Sequence, residues 1–554
     1  MAGWAWIRAK GPGQQLELAV LALVTALLGW PFLVAEWLPL VDYPEHLGTI
    51  AALHGAGSDP RFSPYFVVDY PRTQYLLFYL LGDLLAYPLG IDGAGRATVI
   101  LSVASLPLAV AIWLREHGRP MILGALAGGI AIHIYVLWGF LNYAMGMSLA
   151  ILALAALTRV VRRPDSVSAL WLALAALAAF YAHAQTFAFF GLAAIVTMGA
   201  LLPSGGWPRM RRALGYALAA ALPSVIAVGL WLRNSGVIER GVAGTRNGSA
   251  AALEGAPPGF APTAETLAGW QSHSFGLWRD SSGMHLAIAF AAVTLVLVMA
   301  RGLSKRGPSQ GPIVPTFAVS FRTRAPLMPP IPSLAPELIL ALSVGLYFFA
   351  PQSYRNIEPI NLRFMPLMLA LLPVLGPRAA LGTWTRRILA ICTLALTFYA
   401  ARTHREHFRA TDAEMADLHL ALDHTEPGSR LLGLIFDRES QIASLPIYLH
   451  AHQYYQADVG GLACFGFVEF PISPIQYRAG AEPPTFPARF EWTPEHYDHA
   501  RYQDAFDYWL IRHPERGAPR SIFRTGTPPE AIYEGRRWTV YRRNGDRRAE
   551  SDAP

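Results

Sequence analysis

Lysine and cysteine are nearly absent from this chain of 554 residues. Only Lys10 and Lys305 are lysines among its 45 basic residues, so chemistry that needs a lysine has almost no candidates. The two cysteines, Cys392 in an apolar segment and Cys464 in a polar region, predict neither a disulfide nor a cysteine metal motif. Charged residues reach only 15%, where soluble domains hold roughly a quarter. These shortages exclude a disulfide-stapled secreted module, a disordered chain and a nucleic-acid binder built on basic patches.

Long apolar runs make up much of the sequence. Hydrophobic residues make up 53% of the chain, and several runs exceed the roughly 18 residues that a helix needs to cross a bilayer. The sequence therefore predicts an α-helical polytopic membrane protein. We predict about eleven spans, at about 16–36, 97–114, 121–139, 143–158, 167–183, 187–202, 213–232, 284–300, 335–351, 363–377 and 388–402.

The segment Gln74–Ile91 decides how these spans are oriented. It is apolar, but it contains Asp83 and is cut short by Pro88–Gly90. If it lies along the outer surface, all the arginine-rich loops between later spans share the inner side with the N-terminus; if it crosses the membrane, they all move outside. Because short loops rich in arginine stay in the cytoplasm, the positive-inside rule favours the surface position.

This topology divides the chain into two predicted domains. Residues 1–402 form the transmembrane domain, with outer loops 37–96 and 233–283 and a cytoplasmic linker at 301–333. Residues 403–554 form an extracytoplasmic soluble domain that is large enough to bury a core. Its predicted elements are two apolar strands, one hairpin that turns at Glu534-Gly535 and one helix, located at Leu431–Phe436, Tyr508–Ile511, Ala531–Tyr541 and Ala413–Leu422. We therefore predict that this domain is α/β.

The first outer loop carries a compact group of polar residues directly after the first span. Asp42 precedes Pro44 where a helix is expected to begin, so Asp42 could be its N-cap and Glu45 could complete a capping box. Asp42 and His46 are also i,i+4 neighbours on one helix face. A carboxylate and an imidazole there could act as general base and orienting partner, or as two ligands of a divalent metal. The two interpretations are compatible, since a cap can also be catalytic.

Two further polar groups are predicted at the outer ends of later spans. Asn142, His183 and Gln185 lie at membrane depth, where polar side chains normally face a cavity or a partner helix. A satisfied structural histidine is the alternative for His183.

Ahead of the tenth span stand Tyr354, Arg355 and Arg363, and arginines on the outer side run against the positive-inside bias. A lipid phosphate is a suitable anionic partner because guanidinium binds it bidentately, while unspecific contact with headgroups is the alternative.

Motifs of nucleotide-dependent and zinc enzymes are missing. The sequence has no Walker loop, dinucleotide fingerprint, His-Glu-x-x-His helix or Gly-x-Ser-x-Gly elbow in a usable context. We therefore expect no nucleotide cofactor. Any activated donor would have to be available outside the cell.

The arrangement resembles the GT-C glycosyltransferases, which use sugars linked to polyprenyl phosphate. Asp42 matches the acidic position that follows the first helix, and Gln74–Ile91, followed by Gly95-Arg96, is similar to the surface helix before the second span. The run Arg363-Phe364-Met365-Pro366 is similar to the arginine-aromatic-x-proline start of a late helix. The resemblance covers about 16–402 and is closest to poorly characterised bacterial members.

The resemblance implies a reaction and a location. A sugar would pass from a polyprenyl-phosphate carrier to an extracytoplasmic acceptor, which could be a glycan, a lipid or a protein. Asp42 would be the general base, with His46 and Glu45 as further catalytic candidates, and His46 would orient Asp42 or join it in holding Mg²⁺ or Mn²⁺. Arg363, with Arg355, would neutralise the leaving phosphate.

The protein would be a multi-pass protein of a bacterial inner membrane, with its N-terminus in the cytoplasm and its C-terminal domain in the periplasm or outside the cell. Two other classes stay open, a transporter or flippase and a non-catalytic scaffold for envelope assembly. Few ionisable groups fall at mid-membrane, which disfavours transport.

Overall fold

Most of the apolar runs in the sequence form helices. The computed structural model describes residues 11–201, 206–235, 258–303, 334–354, 357–415, 417–515 and 517–544. Among these residues, six helices are long and apolar enough to cross a membrane, namely Pro12–Leu33, Leu76–Glu116, Leu141–Arg162, Ala184–Leu201, Trp207–Asn234 and Ser282–Gly302. Shorter apolar helices cover Ser166–Ala182, Ala335–Phe349 and Asn361–Leu375. The multi-pass architecture agrees with the prediction, whereas the count of eleven regular spans is not confirmed.

The described residues form the following α-helices and strands in chain order. The α-helices are α1 Pro12–Gly29, α2 Tyr43–Gly55, α3 Leu76–Glu116, α4 Ile134–Leu137, α5 Leu141–Arg162, α6 Ser166–Ala182, α7 Ala184–Leu201, α8 Trp207–Asn234, α9 Thr263–Ala268, α10 Ser272–Phe275, α11 Ser282–Leu303, α12 Ala335–Phe349, α13 Phe364–Leu371, α14 Thr383–Met415, α15 Leu418–Leu422 and α16 His499–Tyr502. The strands are β1 Phe66–Val68, β2 Ser429–Ile435, β3 Gly461–Cys464, β4 Ile475–Tyr477, β5 Tyr508–Arg512, β6 Glu530–Glu534 and β7 Trp538–Arg542.

The predicted span at 121–139 is not one regular α-helix. A 3-10 helix, Met121–Gly129, is followed by the short α4. Glycines in this run let it approach its neighbours closely: a Cβ on Gly124 would lie 2.5 Å from the backbone nitrogen of Ala111 in α3. The apolar pattern of this run predicted a regular α-helix. Glycine is a weak helix former, and its small size allows close backbone packing that replaces the regular helix here.

Helix α3 contains a bend at Gly90, where φ is 71° and the backbone is not helical. Before the bend, the helix buries Phe78 and Tyr79 and exposes Leu84 and Tyr87. One buried face and one exposed apolar face are typical of a helix lying along a membrane surface, as we predict for Gln74–Ile91.

The C-terminal part contains a five-stranded sheet of order β3-β2-β5-β7-β6. Strand β2 runs parallel to β3 and β5, while β7 is antiparallel to β5 and β6. The two predicted strands and the predicted hairpin therefore correspond to β2, β5 and the β6–β7 pair. Helix α14 continues past the predicted domain boundary at residue 403, and most of the predicted linker 301–333 lies outside the described residues.

The segment predicted as the first outer loop packs on this C-terminal part. Strand β1 pairs with β4, with Phe66 opposite Tyr477. The side-chain amide of Gln456 donates a hydrogen bond to the carbonyl of Gly48 in α2 at 2.9 Å. Helix α2, which begins beside Asp42, is therefore held against residues some 400 positions later in the chain.

Candidate active site

Asp42 stands at the start of α2 with its backbone fixed by a neighbouring turn. Its N–H donates to the Trp138 carbonyl at 3.1 Å, and the N–H of Val41 donates to the Leu137 carbonyl at 2.8 Å. Gly139, at φ +90°, completes this turn, and a Cβ there would lie 2.6 Å from the Asp42 nitrogen. The Asp42 side chain makes no capping hydrogen bond to α2. Although Asp42 occupies the N-cap position, the predicted capping box is thus not formed by its carboxylate.

The carboxylate of Asp42 instead faces His450 from the C-terminal domain. Asp42 Oδ1 lies 3.5 Å from His450 Nε2, and Glu45 Oε1 lies 3.6 Å from His450 Nδ1. The same nitrogen that faces Glu45, His450 Nδ1, donates a hydrogen bond to Glu491 Oε2 at 3.0 Å. Glu45, His450 and Glu491 are all buried. One imidazole therefore connects three carboxylates.

Arg489 supplies the second cation of this cluster. Its Nε donates to Glu491 Oε1 at 2.6 Å, and its terminal nitrogens lie 3.7 Å from Glu45 and 3.6 Å from Glu469. The carbonyl of Phe465 accepts a further bond from Arg489 at 3.4 Å. Phe465 has φ +51°, a conformation that a bulky side chain rarely adopts, and such backbone strain is frequent at functional sites.

Burial and mutual charge set the ionisation of the cluster. Burial raises the pKa of Asp42 to about 6, although the charges of His450, Arg489 and Arg363 lower it. The pKa of Glu45 is also raised, again mainly by burial. Burial lowers the pKa of His450, but the neighbouring carboxylates of Glu45 and Glu491 outweigh it and raise this pKa to about 9.

The cluster carries an excess of acidic groups. Four carboxylates, of Asp42, Glu45, Glu469 and Glu491, face one guanidinium and one imidazolium. Buried charge without compensation is costly, so the excess has to be met by protons on the carboxylates or by an added cation. Asp42, Glu45 and His450 each offer a ligand atom, and these atoms lie within 4.8 Å of one another.

His46, predicted as the partner of Asp42, is engaged elsewhere. Its Nε2 donates to the Gly139 carbonyl at 2.9 Å, so in the neutral ring Nδ1 accepts from the Tyr79 hydroxyl at 3.0 Å. Burial lowers the pKa of His46 to about 4, which keeps the ring neutral. With both nitrogens occupied, His46 has no free donor atom for a metal. The structure instead places the imidazole of His450 beside Asp42.

Arg363 lies within electrostatic range of Asp42, since its charge lowers the pKa of that carboxyl group. The guanidinium stacks over Phe140 at 4.4 Å and donates to the Glu358 carbonyl at 3.3 Å. Its Nε is buried and has no hydrogen-bond partner in the described part of the chain. The backbone carbonyl of Arg363 accepts from the Tyr143 hydroxyl. Arg363 therefore has a donor available for a further ligand.

The other predicted residues are distributed around Arg363. His183 Nε2 lies 3.4 Å from the Tyr75 hydroxyl, and Gln185 donates to the Ile360 carbonyl at 2.7 Å, three residues before Arg363. Asn142 is buried, and its Oδ1 has no partner among the residues described. Tyr354 is 41% exposed. Arg355 lies outside the described residues.

Sequence reasoning missed the contribution of the C-terminal domain. His450, Arg489 and Glu491 form the cluster with Asp42, but none belongs to a recognisable motif. The available signal was weak: several ionisable residues lie close to apolar ones at 450–452 and 489–491. Nothing local connected these segments to the first loop.

A bundle of apolar helices joined to an α/β part, with acidic residues after the first helix, is the arrangement expected from the resemblance to GT-C glycosyltransferases. No protein-family model matches the sequence, and no curated protein matches it either. Solved structures do match. The chain is similar to ArnT from Cupriavidus metallidurans in the apo state, with a TM-score of 0.52, 10% identity, and coverage of 95% of this chain and 97% of that one.

It is also similar to ArnT from Cupriavidus metallidurans bound to undecaprenyl phosphate, with a TM-score of 0.52 and 11% identity. That match covers 96% of this chain and 98% of the other. At this level of identity the similarity is one of fold. The resemblance to GT-C glycosyltransferases is confirmed at that level.

Proposed function

We propose that this protein is a membrane glycosyltransferase that moves a sugar from a polyprenyl-phosphate carrier to an extracytoplasmic acceptor. The main support is the position of Asp42, a carboxylate in an acidic cluster that is also in electrostatic range of Arg363. The fold shared with ArnT, which has been solved with undecaprenyl phosphate bound, supports the choice of carrier.

The chemistry needs a proton acceptor on one side of the sugar and a cation on the other. Ionised Asp42 takes the proton from the acceptor hydroxyl or amine as that atom bonds to the anomeric carbon. The bond between the anomeric carbon and the phosphate oxygen breaks, and its electron pair leaves with the phosphate. Arg363 neutralises the negative charge on this leaving group, with Arg355 as a second candidate.

The remaining residues have positioning roles in this proposal. His46 binds the Gly139 carbonyl and thereby holds the turn that fixes the Asp42 backbone. Protonated His450 favours the ionised form of Asp42. Tyr354, Asn142, His183 and Gln185 shape the side of the site that receives the carrier.

The cluster also fits a divalent cation. Asp42, Glu45 and the neutral ring of His450 would hold it, the ion taking the place of the proton on Nε2, since their ligand atoms lie together and the buried Glu45 Oε1 has no hydrogen-bond partner in the described part of the chain. Two carboxylates and one imidazole suit Mn²⁺ better than Mg²⁺, which prefers oxygen ligands. When bound, the ion would supply positive charge next to the reacting groups.

The proposal is tested with purified protein and radiolabelled undecaprenyl-phosphate sugars. We expect donor turnover, as transfer or as hydrolysis, by the wild type and its loss in Asp42→Asn, because the amide cannot take up the proton. Asp69→Asn makes the same chemical change in the same outer loop and should retain activity. Equal turnover by Asp42→Asn and the wild type would remove Asp42 from the reaction.

A further inference from the structure

An open groove lies on the C-terminal domain next to the end of β2. Its volume is about 420 Å³, and the residues lining it include Phe436, Tyr497, Ile522, Glu495, Asp498 and Arg524. Phe436 directly follows β2, and its N–H donates to the carbonyl of Arg512, the last residue of β5, at 2.9 Å. The groove is therefore found at the carboxyl end of these parallel strands.

The topology of the sheet makes this a favoured position for a ligand. Strand β2 has β3 on one side and β5 on the other, both parallel to it. The chain first continues from β2 to β3 and later crosses to β5, so the strand order reverses at β2. In open α/β sheets, ligands bind outside the carboxyl ends of the strands at such a reversal.

The groove combines an apolar floor with unpaired charged groups. Phe436 and Ile522 are half-buried, and the ring of Tyr497 is held by a hydrogen bond from Trp509 Nε1 to its hydroxyl at 2.7 Å. Glu495, Asp498 and Arg524 are exposed, and their side chains form no hydrogen bond or ion pair with any described residue. Acceptors and a donor are therefore available above an apolar surface.

This combination suits a saccharide better than the other ligand classes. Aromatic and aliphatic side chains pack on the carbon face of a sugar ring, while carboxylates accept hydrogen bonds from its hydroxyl groups. Two carboxylates against one guanidinium disfavour a phosphorylated ligand. They favour neutral sugars or sugars that carry an amine.

One chain segment connects this groove to the acidic cluster. Arg489 and Glu491 belong to the cluster, and Glu495, Tyr497 and Asp498 line the groove. The seven residue-to-residue steps from Glu491 to Asp498 can span at most about 24 Å. A saccharide of several sugar units bound in the groove could therefore reach from there toward Asp42.

We propose that the groove is an acceptor subsite and that the acceptor is a glycan of neutral or amine-bearing sugars, an inference that rests on the proposed glycosyltransferase function. The test uses the full-length protein in nanodiscs and an array of bacterial surface-glycan fragments with hexose, hexosamine and uronic acid ends. The dissociation constant of the strongest fragment is then measured for the wild type and variants.

We expect the double variant Glu495→Gln/Asp498→Asn to weaken binding at least tenfold. The matched control, Asp423→Asn/Glu426→Gln, changes two exposed carboxylates of the same domain and should bind like the wild type. Absence of binding to every fragment, or equal binding by the groove variant, would overturn the assignment.

Donor turnover in the same preparation separates the two proposals. If the groove assignment alone fails, hydrolysis of the labelled polyprenyl-phosphate sugar persists and still depends on Asp42. If the glycosyltransferase function fails, no donor is turned over, whatever the array shows.

Discussion

The Asp42 carboxylate lies 3.5 Å from Nε2 of His450, so an acidic residue that follows the first helix meets an imidazole from the C-terminal domain. Glu45 and Glu491 lie beside the other ring nitrogen and hold this imidazole in its charged form. The proposed general base, Asp42, and the imidazole of His450, which lowers its pKa, therefore come from parts of the chain that are far apart in sequence. Four predictions test what this arrangement does.

The first prediction concerns pH. If Asp42 accepts a proton, kcat/KM should fall below its pKa of about 6, to about a tenth of its plateau at pH 5. In the metal-free protein, His450, with a pKa of about 9, is charged throughout the neutral range and lowers the pKa of Asp42. In His450→Gln this charge is lost, so the acid limb should move to higher pH. A profile of His450→Gln that superimposes on the wild type would contradict this coupling.

The second prediction concerns Gly139. An added methyl group in Gly139→Ala would meet the backbone of Asp42 at 2.6 Å and would strain a backbone at φ +90°. Displacing a reacting group by about 1 Å can cost roughly 100-fold in rate. We expect a loss of that order in donor turnover while the protein still inserts and purifies normally. Gly57→Ala, where a Cβ meets nothing within 4 Å, is the control and should keep its activity.

The third prediction concerns the leaving phosphate. Loss of a group that stabilises developing negative charge typically costs about 100- to 1,000-fold in rate. Arg363→Gln should show a decrease in kcat of that size. Arg363→Lys keeps the charge but loses the bidentate fork, so an intermediate activity is expected. Arg402→Gln changes an arginine that is 60% exposed and should have little effect; equal activity in all three variants would remove Arg363 from the mechanism.

The fourth prediction concerns the metal. Purified protein dialysed against Mn²⁺ should retain about one ion, measured by elemental analysis and by the electron paramagnetic resonance signal of Mn²⁺. Glu45→Gln removes one carboxylate ligand and should lower this affinity at least tenfold. Glu36→Gln, a change in an exposed carboxylate near the same loop, should not. Equal retention of Mn²⁺ by wild type and Glu45→Gln would show that the ion binds elsewhere. The excess negative charge of the cluster would then be balanced by protons on its carboxylates.

Much of the architecture could be predicted because it depends on local properties of the chain. Most of the predicted spans fall on apolar helices, six of which are long enough to cross a membrane among the described residues, and the apolar segments Leu431–Phe436 and Tyr508–Ile511 correspond to β2 and β5. Such runs are recognisable without knowledge of their neighbours, since helix and strand formation follow the pattern of adjacent residues. The predicted span at 121–139 differs, because close packing of Gly124 on α3 replaced a regular α-helix there.

Only part of the candidate site could be predicted from the sequence. The sequence by itself determined that a multi-pass helical protein would carry Asp42 and Glu45 on a polar loop after its first helix. The length of an apolar run and the position of a charged residue can both be read directly from neighbouring residues in the sequence. Only the tertiary structure decided that His450, held by Glu491, stands beside Asp42 instead of His46. Charges far apart in sequence meet only when the domains that carry them pack together, and that packing depends on contacts from the whole fold rather than on any single segment.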